Sequence, residues 1–528
     1  MAYVHGPTVS SLKNMNSQSS KLKILIISPP YRLSAVCLPL GLAYIAAVLR
    51  KAGYPVEVID MDVKNYAPNE YKRILQEKKF DVLCLGGMIT AWNFFKFTSD
   101  YVKEIKPDVK IVIGGGVITS TPRSFLSVSP ADVGVIGEGE DRILDILAAF
   151  ESGRSLSDIP SIVYRENGEI KQTAPGPLIE DLDRIPFPAW DLFEVEKSYA
   201  CFPSHDSLLT AKRQMAIATS RGCPYQCTFC YSEKKMRFRS VENVIAEMEE
   251  LKRRYGITHF SLVDDLFVAQ KKRVVHFCEE LIRRKMNVSW SASGRCNLAD
   301  YELYKLMKKA GCYELGLGIE SGSATVLDSI KKKQTPEQVV NAVKIVQQAG
   351  IIPGGTFILG LPAETPETVR ETVEVYKTIN SHRTLMNQFF FATPYPGTEL
   401  YNEVRKKGRI PDEIAFFEKL SEKGDAVDFV INCTEAFTDN ELIQTKAAVE
   451  KEVFQDFMKK HPLYTFSRWL IRKTPWGKLK VILLRLKMRG FAEVIRFLQT
   501  KIRVKRGQIP DPFERRWNAA RIPLDAKG

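Results

Sequence analysis

Long apolar runs are missing from this 528-residue sequence. None reaches the roughly 18 residues that a membrane-spanning helix needs. The polar stretch from Ser10 to Lys23 contains no apolar core before a cleavage site, so no secretory signal is read there. Cysteine is sparse, 10 in the whole chain, which excludes a disulfide scaffold. Together these absences point to the cytoplasm. Acidic residues are also in deficit, 62 against 76 Lys and Arg, for a net charge of +14. A basic excess of that size suits nucleic acid, an anionic membrane surface or an acidic ligand, and its position along the chain decides among them. Hydrophobic residues at 45% and charged residues at 26% exclude a disordered or collagen-like chain. The length predicts about three domains.

What is present is alternation. After a leader at 1–22, read as disordered, short β-rich runs occur at Lys23–Ser28, Val56–Asp60, Val82–Leu85, Ile111–Ile113 and Val133–Ile136. Helical stretches such as Leu42–Ala52 separate them. The pattern predicts a doubly wound parallel sheet over 23–150. Four strands run into loops of small or turn residues: Pro29-Pro30-Tyr31, Gly86-Gly87, Gly114-Gly115-Gly116 and Gly137-Glu138-Gly139-Glu140. Ligands of such sheets bind beyond the carboxyl ends of the strands, where glycines let them approach the backbone. Residues 151–210 read as a linker. A second series has strands at Met215–Thr219, His259–Val263, Val288–Ser291, Tyr313–Ile319, Gly355–Leu359 and Gln388–Ala392. Helices such as Val241–Tyr255 and Pro336–Ala349 lie between. Six β/α units over 211–400 predict a partial barrel with its site at the C-terminal strand ends. Residues 401–464 read as helical and 465–528 as a basic C-terminal region.

Seven cysteines are scattered; Cys223, Cys227 and Cys230 are not. They follow the first barrel strand in Ser220-Arg221-Gly222-Cys223-Pro224-Tyr225-Gln226-Cys227-Thr228-Phe229-Cys230, a C-x3-C-x2-C spacing. Three thiolates on one loop suit an iron–sulfur cluster, and without a fourth cysteine nearby one iron is left open to substrate. The competing reading is a three-cysteine zinc site completed by a distant histidine. No histidine lies between His205 and His259.

This stretch resembles the signature of the radical S-adenosylmethionine (SAM) enzymes. Agreement continues at the later strand ends: Val263-Asp264-Asp265, Ser293-Gly294-Arg295, Gly318-Ile319-Glu320-Ser321-Gly322, Gly360-Leu361-Pro362-Ala363-Glu364-Thr365 and Pro394-Tyr395-Pro396-Gly397-Thr398. With the N-terminal sheet and Leu38-Pro39-Leu40-Gly41 in front, residues 23–400 resemble the cobalamin-binding subfamily. The resemblance implies a 4Fe-4S cluster on Cys223, Cys227 and Cys230. It implies SAM held near Phe229 by Ser293, Arg295 and Glu320. It implies cobalamin over Tyr31, Gly86, Gly87, Gly115, Gly116, Gly137 and Glu138. The only histidine before His205 is His5, so no axial imidazole of the D-x-H-x-x-G type is available. The activity implied is methylation of an unactivated carbon in a small or lipid-like molecule. One SAM supplies the methyl group by way of cobalamin, and another yields a 5′-deoxyadenosyl radical that takes a hydrogen atom. An electron donor such as a reductase, flavodoxin or ferredoxin is also implied. The alternative is a non-methylating enzyme of the subfamily, such as an oxidative cyclase.

The basic excess has one address. Between Thr465 and Arg506 there are thirteen Lys and Arg and one acid, Glu493. Val481, Leu484, Met488, Phe491, Ile495, Leu498 and Ile502 recur at alternating steps of three and four, one face of a helix, with Trp469 and Trp476 upstream. A basic amphipathic helix of this kind suits an anionic membrane surface. It equally suits a helix that docks its stripe on the barrel. No nucleic-acid module accompanies the charge, and nucleic acid is not expected as a partner.

Overall fold

The computed structural model describes residues 21–30, 39–64, 66–195, 202–203, 211–380, 387–423 and 431–462. Tyr31, most of the leader and the basic 465–528 region lie outside the described residues.

The N-terminal sheet has seven strands. Ile24–Ser28, Val56–Asp60, Val82–Gly86, Lys110–Gly114 and Val133–Val135 are the parallel core, all within two residues of the expected bounds. The second strand in sequence lies at the edge, beside the first, and the third lies on the first strand's other side. Because the chain reverses direction between the first and third strands, a crevice opens at their carboxyl ends. Gly86-Gly87 sits at that point. These strands are buried on both faces, so their residues read as continuous Val/Ile/Leu runs rather than alternating ones.

The stretch expected as linker departs from that reading. Ile162–Glu166 and Glu169–Gln172 form a hairpin that adds antiparallel to Val133–Val135. Its turn is Asn167-Gly168, with φ of 52° and 84°. Asn-Gly between two short strands is the residue pair that a two-residue turn of this hand requires. The leader boundary also shifts, because Lys21 places its ammonium 4.7 Å from the ring centroid of Tyr54.

The second sheet has six parallel strands in chain order: Gln214–Ile217, His259–Leu262, Ser289–Arg295, Cys312–Glu320, Ile352–Leu359 and Asn387–Phe391. It is a half-barrel with helices outside. Trp290, fully buried, is packed edge-on by Phe267 and Phe277 at 5.5 and 5.6 Å. The region after 400 contains the helices Glu413–Lys423 and Asp439–Lys460. Phe417 on the first of these meets Trp92 of the N-terminal domain at 5.0 Å. One continuous apolar core runs from the helix Leu40–Lys51 through Trp190 and Phe193 into the barrel. No described helix is long and apolar enough to cross a membrane.

Glu364 closes the loop after the fifth barrel strand by accepting the Gly360 N–H, while its Oε1 is buried without a partner. Burial pushes its carboxyl up to about 8. The folded chain therefore binds a proton there that the unfolded chain has lost above about pH 4.5. This costs stability progressively as pH rises from there towards 8. Glu364→Gln keeps the acceptor and removes the charge. Its unfolding free energy should exceed wild type at pH 8 by on the order of a few kcal/mol and converge with it near pH 5. Parallel curves for the two proteins in denaturant titrations across that range would refute the assignment.

Candidate functional site

The cysteine loop hangs from a two-stranded ribbon. Ser220–Arg221 pairs antiparallel with Arg237–Phe238, with Arg221 opposite Arg237. Gly222 starts the loop at φ +90°, where a Cβ would lie 2.5 Å from the Lys235 carbonyl oxygen, so no other residue fits. The Cys223 N–H donates to Glu233 O at 2.8 Å and the Thr228 N–H to Ile330 O at 3.1 Å. The loop is thus pinned to its own base and to the chain after the fourth barrel strand.

Asp264 braces it from below. Its carboxylate accepts the Thr219 N–H and hydroxyl at 2.6 and 2.5 Å and the Ser220 N–H and hydroxyl at 3.1 and 2.8 Å. Burial pushes this carboxyl up against the pull of those bonds. Asp264 does not line the cavity, whereas its neighbour Asp265 does. It therefore holds the strand that carries the cysteines and not a ligand.

Cys223, Cys227 and Cys230 open on one cavity of about 420 Å³ inside the half-barrel, together with Phe229, Ser293, Arg295 and Glu320. All seven residues expected at the cluster and SAM are thereby brought together. Ser293 donates its hydroxyl to the Asp264 carbonyl at 2.7 Å. Arg295 stands 3.6 Å over the Tyr225 ring, with its Nη1 3.4 Å from Cys227 Sγ. Glu320 has φ +66°. The pairing register slips between Gly318 and Glu320, and this bulge turns the carboxylate into the cavity mouth. There it accepts Lys332 Nζ at 2.6 Å and the Thr356 hydroxyl at 3.2 Å.

Asp265, one of the second strand's acids, also lines the cavity, as do Lys332, Tyr225, Thr356 and Glu314, which were not expected from the sequence. Lys332 is 12 residues from Glu320 in a run of three lysines, and no pattern distinguishes it. Tyr225 could have been found, because it lies between the first two cysteines. Glu314 lies near the start of its strand, Cys312–Glu320. Burial pushes it up to about 7.

The donor set fits an iron–sulfur cluster. Burial and then the negative charges of Cys227, Asp265 and Cys223 push the Cys230 thiol up to about 11, and a bound cationic centre would draw it back down. Among the described residues no three His, Cys, Asp or Glu side chains are grouped as a single metal ion would need.

On the N-terminal side, Gly86-Gly87 and Gly115-Gly116 meet backbone to backbone. Gly115 has φ +83°, and a Cβ there would stand 2.7 Å from Gly87 O. Val117 donates its N–H to Gly87 O at 3.1 Å. The result is a close backbone contact between the two loops at the carboxyl ends of the strands, with the Leu42 side chain packed over Gly86. Gly137, at φ +78°, has open space where a Cβ would be.

The Glu138 side chain is engaged by the barrel. Its carboxylate accepts Arg221 Nη1 at 2.6 Å, Arg237 Nη1 at 2.7 Å and the Ile179 N–H at 2.8 Å. Burial alone would raise this carboxyl, but those bonds hold it below the usual carboxylate range. Arg221 also pairs with Glu140. The Arg237 side chain is only 4% exposed, and a buried guanidinium requires a counter-charge, which Glu138 supplies.

Asp264→Ala strands two buried N–H groups at the base of the cysteine loop. The variant should lose at least about 2 kcal/mol of unfolding free energy in the apo form. It should also retain several-fold less iron after anaerobic reconstitution. Wild-type values for both in denaturant titration and iron analysis would show that Asp264 does not brace the loop.

The comparisons agree with this geometry. The radical SAM superfamily model matches residues 217–375 and the B12 binding domain model residues 32–147. An uncharacterized methyltransferase of Pyrococcus horikoshii is 34% identical over 391 residues, 72% of this chain and 82% of that protein. An anaerobic magnesium-protoporphyrin IX monomethyl ester cyclase of Rubrivivax gelatinosus is 31% identical over 416 residues, 76% of this chain and 72% of its own. The structure of the radical SAM methyltransferase TsrM from Kitasatospora setae, with cobalamin and a 4Fe-4S cluster bound, shares the fold. Its TM-score is 0.61 at 19% identity, over 73% of this chain and 75% of that one. The chain belongs to the cobalamin-binding radical SAM family, whose cofactors are a 4Fe-4S cluster, SAM and cobalamin.

Proposed function

We propose that this protein is a methyltransferase that places a methyl group from SAM on an unactivated carbon of an apolar, lipid-like small molecule. The observation that carries this reading is the union of two half-sites. The cysteine cavity of the barrel and the glycine loops of the N-terminal sheet are joined through Glu138. When bound, the cluster, SAM and cobalamin supply radical generation and methyl transfer, which is the chemistry that protein side chains lack.

The chain's own groups bind and orient. Cys223, Cys227 and Cys230 are the three thiolates for the cluster. Arg295, fixed over Tyr225, sets a positive charge beside Cys227. Glu320, steadied by Lys332, presents a carboxylate for a hydroxyl or ammonium group of SAM. Ser293 and Phe229 complete the wall. Glycines at 86, 87, 115, 116 and 137 admit cobalamin to the backbone.

The substrate class is read from exposed apolar side chains in the loops that follow the strands. Met88, Tyr231 and Val263 follow the third strand of the N-terminal sheet, the last cysteine and the second barrel strand, and they are 48%, 54% and 48% exposed. Met88 borders the start of the short helix Gly116–Ser120, where Gly116 faces it. Tyr231 lies against Gly397 near Ser120 at the helix's other end. Large apolar side chains left exposed beside a cofactor site mark an apolar ligand. Electrons come from a flavodoxin, ferredoxin or dedicated reductase. The kinship with a ring-forming cyclase favours a second reading, in which the same radical closes a ring.

Anaerobic reconstitution with iron, sulfide and hydroxocobalamin, followed by product analysis under reduction, separates the two. Methyl transfer yields S-adenosylhomocysteine with 5′-deoxyadenosine, whereas ring closure yields 5′-deoxyadenosine alone. Cys227→Ala should abolish 5′-deoxyadenosine formation, and persistence of that product would sink the radical SAM assignment.

The basic amphipathic segment fits the same substrate class, by holding the enzyme at an anionic membrane surface where lipids reside. Deleting Thr465–Gly528 should move the protein from the membrane fraction to the soluble one. Unchanged partitioning would remove the membrane from the proposal.

A further inference from the structure

We propose that Glu138 is a positioning residue that couples the cluster site to the cobalamin site, so that filling one strengthens binding at the other. The proposal rests on the cofactors of the family and not on which carbon is methylated.

The path is continuous. The cysteine loop leaves and rejoins the ribbon at Arg221 and Arg237, which stand opposite each other. Two like charges in that position repel. One carboxylate reconciles them: Glu138 takes both guanidinium groups, at 2.6 and 2.7 Å. The side chains are 24%, 4% and 15% exposed for Arg221, Arg237 and Glu138, so solvent does little to weaken the contacts.

Behind Glu138 the chain is tied to the other glycine loops. The Gly137 N–H donates to Thr119 Oγ1 at 2.9 Å. Thr119 belongs to the helix Gly116–Ser120, which begins at the Gly115 loop. Gly115 in turn packs on Gly87. A shift of these loops under cobalamin therefore reaches Glu138 through one hydrogen bond, and the base of the cysteine loop through two more. Ordering that loop on a cluster pulls on the same atoms in reverse. Coupling of this kind is reciprocal.

The test is a thermodynamic cycle on the full chain, with hydroxocobalamin as the probe. Its Kd is measured by absorbance for the cluster-free and the cluster-loaded protein. Wild type should bind hydroxocobalamin at least about fivefold more tightly once the cluster is in place. Glu138→Gln keeps the shape, removes the charge and should bring the ratio of the two constants close to one, with iron content and thermal midpoint still those of a folded protein. Glu138→Asp, which keeps the charge, should restore part of the ratio, and it serves as the test if the Gln variant does not fold. A purely structural role for Glu138 would shift both constants together and leave their ratio alone. A wild-type ratio of one, or an unchanged ratio in the variants, overturns the proposal. A wild-type chain that takes up the cluster but no hydroxocobalamin overturns the cofactor assignment and the proposal with it.

Discussion

The cysteine loop is held from two directions by carboxylates. Asp264 grips the strand that leads into it, and Glu138 grips the two arginines at its base. The loop itself has little regular structure, so nothing within it could place three thiols reproducibly. Burying acids and arginines costs solvation, and each is retained because it is bonded to several partners at once. Removing any one partner exposes that cost, which is why these contacts matter more than their number suggests.

The N-terminal sheet presents backbone, and the barrel presents side chains. Glycines at 86, 87, 115 and 116 bring two loops together backbone to backbone at the carboxyl ends of the sheet. The cavity opposite is lined by Cys, Ser, Arg, Glu and Lys side chains. The division follows from what each cofactor needs: a flat macrocycle needs clearance, while a cluster and a charged cosubstrate need thiolates and paired charges. Met88 and Tyr231 are exposed near opposite ends of the short helix Gly116–Ser120.

Strand runs, helix starts and the cysteine spacing were legible because they are local. Val241–Tyr255 is a helix in both sequence and structure, since Ser240 caps it and Gly256 ends it in the left-handed conformation. Cys223, Cys227 and Cys230 could be paired with Ser293, Arg295 and Glu320 because all stand at strand ends of one barrel. The hairpin at 162–172 is harder to read, although Asn167-Gly168 signals it, because its apolar run is only Ile162-Val163-Tyr164 and its edge strand Glu169–Gln172 is mostly polar. Lys332 left no trace in the sequence. Its role depends on a bulge that turns Glu320 towards it, and a bulge is a property of two strands together.

By itself, the sequence determined the two α/β units, the cluster loop, the glycine loops and the confinement of excess charge to Thr465–Arg506. Each is written in residues near one another along the chain. Only the tertiary structure decided what Glu138 and Asp264 do. Glu138 reads as a cobalamin contact from its glycine-rich loop, yet it neutralises arginines 83 and 99 residues away. Asp264 serves a strand 45 residues earlier. Charge pairing acts through space, so such roles appear only when distant segments are brought together.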